Sequence, residues 1–273
     1  IIVGHVQRFE RGNLYVDLGR VTGVMPYDEQ IPGERFKPGE RIRALLLKVD
    51  ETPRGIFLKL SRSHPDFLAS LFTIETPELQ NGAVEIKAIA REAGARSKIA
   101  VFAHDEHIDP VGSLVGQRGV RVSTVMSELG GEKIDIIEWS EDPITFIEDA
   151  LSPAQVMNVV VESEPKENDE TDNRGHAKVE VASDQQSLAI GRGGQNVRLA
   201  AKLTGWKIDI VSVGGPKEES TEALEKKADI DVLENEDATS TKPELTVTDD
   251  QPTEDRDLVD KAQVEEINEI DTP

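Results

Sequence analysis

Apolar and polar residues alternate in short runs over the first sixty or so positions. In Asn13-Leu14-Tyr15-Val16-Asp17-Leu18 the residues Leu14, Val16 and Leu18 share one face and Tyr15 points to the other. Similar runs cover Ile1 to Arg8, Val24 to Met25, Arg41 to Val49 and Gly55 to Leu60, with turn-rich Pro32-Gly33-Glu34-Arg35-Phe36-Lys37-Pro38-Gly39 between them. Five short strands in this length predict a small closed all-β barrel of the OB type. His64-Pro65 ends the pattern, and Asp66 to Phe72 reads as a short amphipathic connector.

From there the period switches between two and 3.6. Strands are predicted at Val84 to Arg91 and Lys98 to Ala103, then a helix-turn-helix around Gly116 to Gly119 whose second helix is Val120 to Leu129, then a strand at Lys133 to Trp139. Asp142-Pro143 opens a further helix, with Asp142 as N-cap and Pro143 in the first turn. The same order follows again: strands Val156 to Val161 and Ala177 to Ala182, a helix-turn-helix around Gly191 to Gly194 with a helix Gln195 to Leu203, and a strand Lys207 to Val213. Ser113-Leu114-Val115-Gly116-Gln117-Arg118-Gly119 answers Ser187-Leu188-Ala189-Ile190-Gly191-Arg192-Gly193-Gly194, and Lys-Ile-Asp-Ile occurs at Lys133 to Ile136 and at Lys207 to Ile210. This is an internal repeat of an α+β unit. Units this small are marginal alone, so the two copies are expected to pack together. The chain therefore divides into a barrel over 1–63, a connector over 64–76, α+β units over 77–150 and 151–214, and a tail over 215–273.

Charge changes the picture of the tail. The chain carries a formal net charge of −22, but Pro216 to Pro273 holds 20 acidic and 6 basic residues, and Glu162 to His176 six acids against Lys166 and Arg174. The tail has too little to bury to offset chain entropy and is expected to be disordered. The rest is nearer neutral, which leaves room for local basic patches. There is no cysteine, hence no disulfide framework or thiolate metal site. No apolar run long enough to cross a membrane and no signal peptide are seen, so a cytoplasmic protein without membrane contact is expected. A strand-like run beginning at Ile1 gives the expectation of a piece cut from a longer chain.

The two Gly-x-x-Gly turns carry the chemistry. A sugar-phosphate backbone must approach the peptide closely there, which Cβ atoms would block, and amides at the following helix start can face phosphate oxygens. Candidate RNA-binding residues are Gly116, Gln117, Arg118 and Gly119 in the first turn and Gly191, Arg192, Gly193 and Gly194 in the second. Lys98, Arg121, Asn196, Arg198 and Lys202 flank them as candidate contacts to the nucleic acid. Leu114, Val115, Leu188 and Ile190 read as core that also lines the groove beside each turn. On the barrel, Tyr15 with Phe9 and His5 is a candidate stacking platform, flanked by Arg41, Arg43 and Lys48. A dinucleotide-binding reading fails because Asn196 stands where the third glycine would be, and no Gly-Lys-Ser/Thr occurs. His104-Asp105-Glu106-His107 lacks helical ligand spacing and is not assigned a metal. No nucleophile with a base is recognisable, so no catalytic residue and no cofactor is assigned.

A basic Gly-x-x-Gly turn between helices, followed by a strand, is the working part of a KH domain, which clamps about four nucleotides of single strand. An S1-type OB barrel followed by two KH units resembles the NusA family of bacterial transcription elongation and antitermination proteins. The resemblance spans Ile1 to Val213 and rests on Tyr15 to Gly19, Phe36 to Arg41, Ser61 to Ser63, Ile108 to Gly119, Glu128 to Ile136 and Ala189 to Ala200. It implies type II KH topology and a monomer that binds nascent single-stranded RNA, with RNA polymerase and other antitermination factors as partners, and that modulates pausing, termination and antitermination. It also implies a polymerase-contacting amino-terminal domain, which is expected to be missing from this piece. The acidic insertion at Glu162 to Asp172 and the tail depart from the family pattern; the tail is expected either to mimic RNA by folding back on the KH surface or simply to solubilise the chain. The alternative reading is a general or ribosome-associated RNA-binding factor outside transcription. A fragment of a phosphorolytic exoribonuclease is a third, disfavoured because those place KH before S1.

Overall fold

A computed structural model describes residues 1–52, 55–165 and 174–214. The expectations placed on the tail, and on most of the acidic insertion, lie outside the described residues. The barrel forms from β1 (Ile2–Glu10), β2 (Asn13–Asp17), β3 (Thr22–Met25), β4 (Arg41–Thr52) and β5 (Gly55–Ser61), closed in the order β1-β2-β3-β5-β4. Only the β3–β5 closure is parallel. Val6, Leu14, Val16, Met25, Ile42, Ala44 and Leu60 fill the interior. At Gly4 a Cβ would lie 2.5 Å from Val16 Cγ1 and 2.6 Å from the Asp17 carbonyl, so the closure of β1 on β2 needs glycine.

The stretch expected to be a connector is a packed helix, α1 (Pro65–Glu75). His64 accepts a hydrogen bond from the Asp66 amide at 3.2 Å, Pro65 starts the first turn, and Phe67, Leu68, Leu71 and Phe72 fall on one face. All four are buried with Ile99, Val101, Leu114, Val125 and Leu129, so α1 belongs to the core of the first α+β unit. That unit adds α2 (Pro77–Gln80), β6 (Val84–Glu92), β7 (Arg96–Ala103), α3 (Pro110–Val115), α4 (Val120–Glu128) and β8 (Lys133–Glu138), with sheet order β6-β7-β8 and β8 parallel to β7.

The second unit repeats the plan with α5 (Pro143–Ala150), β9 (Val156–Ser163), β10 (His176–Ala182), α6 (Gln186–Ile190), α7 (Gln195–Thr204) and β11 (Lys207–Val213), in sheet order β11-β10-β9. Asp142 caps α5 through the Ile144 and Thr145 amides, as its Asp-Pro start predicts. In this repeat α5 stands where α1 stands in the first unit, so it goes with the second unit rather than with 77–150 as expected from the sequence.

The copies do pack together. The face of the first sheet turned away from α1 carries small residues, Ala88, Ala90 and Ala100, beside Ile137. Phe146, Ile147, Leu151, Leu199 and Leu203 of the second unit close over it in one continuous core. At about 1.5–3 kcal/mol for each large side chain buried, this seam holds the units as one body. The register of the repeat puts Asn158, Val160, Glu180 and Val211 at the matching positions of the second sheet. There the Asn158 amide reaches the Glu180 carboxylate at 3.3 Å, on an exposed face.

The barrel joins the first unit through buried arginines. Arg62 grips the Glu34 carboxylate with Nε and Nη2 at 2.8 and 2.6 Å, and donates to the Glu128 carboxylate and carbonyl at 3.0 and 2.7 Å. Arg91 makes a two-bond pair with Glu132, both at 2.9 Å, and donates to the carbonyls of Arg62 and His64. Glu132 also accepts from the Ser97 hydroxyl and the Gly94 amide. Both members of the Arg91–Glu132 pair are inaccessible, their side chains 1% and 0% exposed.

Two outcomes follow from these joints. Arg91→Ala strands the Glu132 charge and is expected to cost about 3–5 kcal/mol in urea unfolding, whereas Arg8→Ala, at an exposed pair, costs about 0–1 kcal/mol. Between the two α+β units, Arg198 and Gln195 donate to Glu92 at 2.7 and 2.8 Å. The Arg198 bond, the larger influence, holds the Glu92 carboxyl below its ordinary range. A depressed carboxyl stabilises the fold fully above the unfolded glutamate range and ceases to do so as pH falls through its folded value. Acid unfolding monitored at Trp206 should therefore lose part of its pH dependence in Glu92→Gln.

Candidate nucleic-acid interface

The two turns have one geometry. Helices α3 and α6 end at Gly116 (φ 74°, ψ 170°) and Gly191 (75°, 170°), and α4 and α7 begin after Gly119 (76°, 16°) and Gly194 (72°, 15°). Such positive φ values are natural for glycine and strained for most other residues. No side chain caps α4 or α7; the first amide of each closes onto its own turn, Val120 donating to the Gln117 carbonyl and Gln195 to the Arg192 carbonyl. At the third position of the turn, Arg118 takes φ 54°, ψ 26° where Gly193 takes 59°, 29°. Arg118 and Arg192 are thus not equivalent: Arg192 matches Gln117 in the repeat. Gln117, Arg118 and Arg192 are all exposed.

The candidate flanking residues separate into different roles. Lys98 is wholly buried: its ammonium pairs with Asp135 at 3.2 Å and donates to the Ser152 carbonyl at 2.7 Å, and burial lowers its pKa. The expectation that Lys98 follows a phosphate backbone is corrected, since the ammonium points into the seam between the units. Asn196 is also buried, donating to the carbonyls of Leu151, Leu188 and Ala189, while its Oδ1 has no hydrogen-bond partner. Its repeat equivalent, Arg121, donates to Ser113 at 2.6 Å and to Glu78 at 2.9 Å. Each of these two side chains thus bonds the carbonyl three residues before the first turn glycine. Each also fills the space a Cβ there would need: Arg121 Cγ at 2.6 Å for Gly116, Asn196 Cβ at 2.8 Å for Gly191. Both support a turn from behind.

Arg198 is exposed at the front. Its Nη1 donates to the Gly193 carbonyl at 3.0 Å while its Nε holds Glu92, which raises its pKa. Lys202 is exposed one helical turn further along α7. Leu114 is fully buried, Val115 and Ile190 are half-buried, and Leu188 is exposed, so the apolar row beside each turn is only partly core. Glu92 was not predicted as part of this region. It lies at the end of β6, where nothing local in the sequence announces a partner 106 residues away.

The barrel aromatics do not form one platform. Register pairs Tyr15 with Arg8, and Phe9 with Leu14, across β1 and β2. Tyr15 therefore lies on the outer face with His5, its ring covered by the Arg8 guanidinium 4.0 Å from the centroid. Phe9 projects on the other side, 62% exposed at the rim. There it lines a 630 Å3 cavity with Tyr27, Ile31, Arg35 and Phe36. The sequence places Phe36 in a turn and assigns Tyr27 no role; their grouping needs the closed barrel. The expected basic flank is partly neutralised: Arg43 lies 3.6 Å from Glu128, and Lys48 2.7 Å from Asp50, while Arg41 is exposed.

His104 stacks edge-on against Phe102 and sits 3.5 Å from Glu85. No helix of the described residues is long and apolar enough to cross a membrane.

Comparison with known proteins agrees with this arrangement piece by piece. Residues 1–61 match the S1 RNA binding domain, residues 62–139 the NusA-like first KH domain and residues 143–218 the NusA-like second KH domain. The first KH match thus takes in α1, as its burial demands. Three relatives named transcription termination/antitermination protein NusA are similar: that of Halalkalibacterium halodurans is 46% identical over 247 residues, 90% of this chain and 62% of its own. The Bacillus subtilis protein is 50% identical, covering 78% of this chain and 55% of its own, and the Thermus thermophilus protein 47% identical, covering 84% and 59%. The chain thus spans 55–62% of the length of these relatives. With an S1 barrel and both NusA-like KH domains in that order over residues 1–218, the chain belongs to the NusA family.

Proposed function

We propose that the chain binds single-stranded RNA on its two Gly-x-x-Gly turns, as the RNA-binding body of a transcription factor that acts on pausing, termination and antitermination. RNA polymerase and other antitermination factors are the partners this reading assigns, with the chain monomeric and cytoplasmic. The observation that carries it is the pair of glycine turns of the same backbone geometry, each opening a helix and each carrying an exposed arginine, on one packed body. A sugar-phosphate backbone can approach such glycines closely, the positive end of the following helix favours its charge, and Arg118, Arg192 and Arg198 supply cations beside it. Arg121 and Asn196 hold the turns in shape and Lys98 holds the seam; all three support binding without touching RNA. The names of the relatives supply the transcriptional setting.

The test is single-stranded RNA affinity as a function of salt for the parent and for Arg118→Asp/Arg192→Asp. Aspartate tolerates the left-handed backbone of position 118 better than most residues, so the turn should survive. Affinity should fall by about tenfold or more for each turn. The slope of log K against log salt should become shallower by roughly 0.7 for each phosphate that the variant no longer neutralises. Unchanged affinity and slope would remove the turns from the RNA path. Gly191→Ala, whose Cβ meets Asn196 at 2.8 Å, should weaken binding without any change of charge, measured in the same titration.

A further inference from the structure

The rim cavity of the barrel combines rigid walls with exposed rings; Asp28, Arg35 and an Arg62-bound Glu34 also line it. Tyr27 opens a 3₁₀ turn, Tyr27–Glu29, and is 77% exposed. The following Gln30 pins that turn beneath the cavity by donating to the carbonyls of Gly12 and Met25 at 2.8 and 3.0 Å. Phe36 is braced from behind by the Arg62 guanidinium, 5.5 Å from its ring centre. Phe9 and Tyr27 are among the most exposed large apolar side chains of the described residues, and both border the same opening. Arg35 lines it, Arg11 precedes the Gly12 turn that approaches Tyr27, and neither arginine forms an ion pair among the described residues.

This opening is tied to the first glycine turn by a single helix. Helix α4 starts at that turn, and its far end, Glu128, is held by Arg62 and Arg43 of the barrel side. Nine residues of α-helix rise about 14 Å. A few nucleotides of extended strand cover such a distance. Exposed rings that offer a flat face, with cations beside them, are what an unpaired base and its phosphate require.

We propose that the cavity bounded by Phe9, Tyr27 and Phe36 is a nucleobase site, in which a base of the RNA held on the first Gly-x-x-Gly turn stacks on Phe9 and Tyr27 while Arg11 and Arg35 meet its phosphate. The proposal rests on the RNA-binding reading of the turns for its direction along α4. It places the stacking surface of the barrel at the rim, and leaves Tyr15, already covered by Arg8, outside it.

The test compares an RNA just long enough for the two turns with the same RNA lengthened at either end by about four nucleotides carrying a photoreactive uridine. The parent and Phe9→Ala/Tyr27→Ala are measured; both side chains are exposed, so the melting temperature should hold. The parent should gain about tenfold in affinity on lengthening, the worth of one stacked base, and the double variant should lose that gain while binding the short RNA unchanged. Crosslinks from the added uridine should fall on Phe9, Tyr27 or Phe36. A gain that persists in the variant, or crosslinks on the Tyr15 face, overturns the proposal. So does the absence of any gain, which leaves the cavity to an apolar protein segment. If the short RNA binds equally to Arg118→Asp/Arg192→Asp, the reading of the turns fails instead; a crosslink and a loss of affinity at Phe9 and Tyr27 would still stand for the cavity.

Discussion

Everything else in the structure depends on the sheet β6-β7-β8 being buried on both faces. One face takes α1, α3 and α4 of its own unit, and the other takes α5 and α7 of the next. A three-stranded sheet of this size would be a weak core if one side met water, since small units bury too little of their surface. Covering both sides shifts the unit of stability from the single KH domain to the pair. Alanine at 88, 90 and 100 is what lets the helices of the second unit approach, and Lys98 is tolerated there because Asp135 and the Ser152 carbonyl satisfy it.

The joint with the barrel works differently. It relies on Arg62 and Arg91, whose planar forks meet carboxylates and carbonyls contributed by four stretches of chain. Hydrogen bonds of this kind are directional, so they fix an orientation that apolar contact alone would leave loose. Apolar matching holds one seam, oriented charge the other. The result carries the turns and the barrel rim in fixed relation.

Much of this was legible in the residues. The alternation of the first sixty positions predicted all five barrel strands, and the Asp142-Pro143 signal located α5. The repeat of Lys-Ile-Asp-Ile aligned both parallel strands, because that motif sits at the start of β8 and of β11 alike. What failed was contact between distant segments. Asp66 to Phe72 looked like a connector because its amphipathic pattern says that one face is buried, not where. Lys98 looked like a surface cation because its partners are 37 and 54 residues away. Phe9 and Tyr15 looked like neighbours until the register shift after Val6 turned them to opposite sides. Asn196 and Arg121, expected as ligand contacts from their place beside the glycines, owe to that same closeness a part in propping the turns, which only the folded chain reveals.

The outward face of the second sheet has a consequence for assembly. The seam between the two units is head-to-tail: the sheet of one copy receives the helices of the next, and contacts of that kind, if repeated, build open-ended polymers. Where the first sheet has alanine, the second has Asn158 and Glu180, joined to each other on an exposed surface. Docking another set of α5 and α7 helices would have to strip water from that carboxylate and set it against the apolar face formed by Phe146, Ile147, Leu199 and Leu203. A further copy of the seam would thus have to bury Glu180 at the position that Ala100 holds in the first sheet.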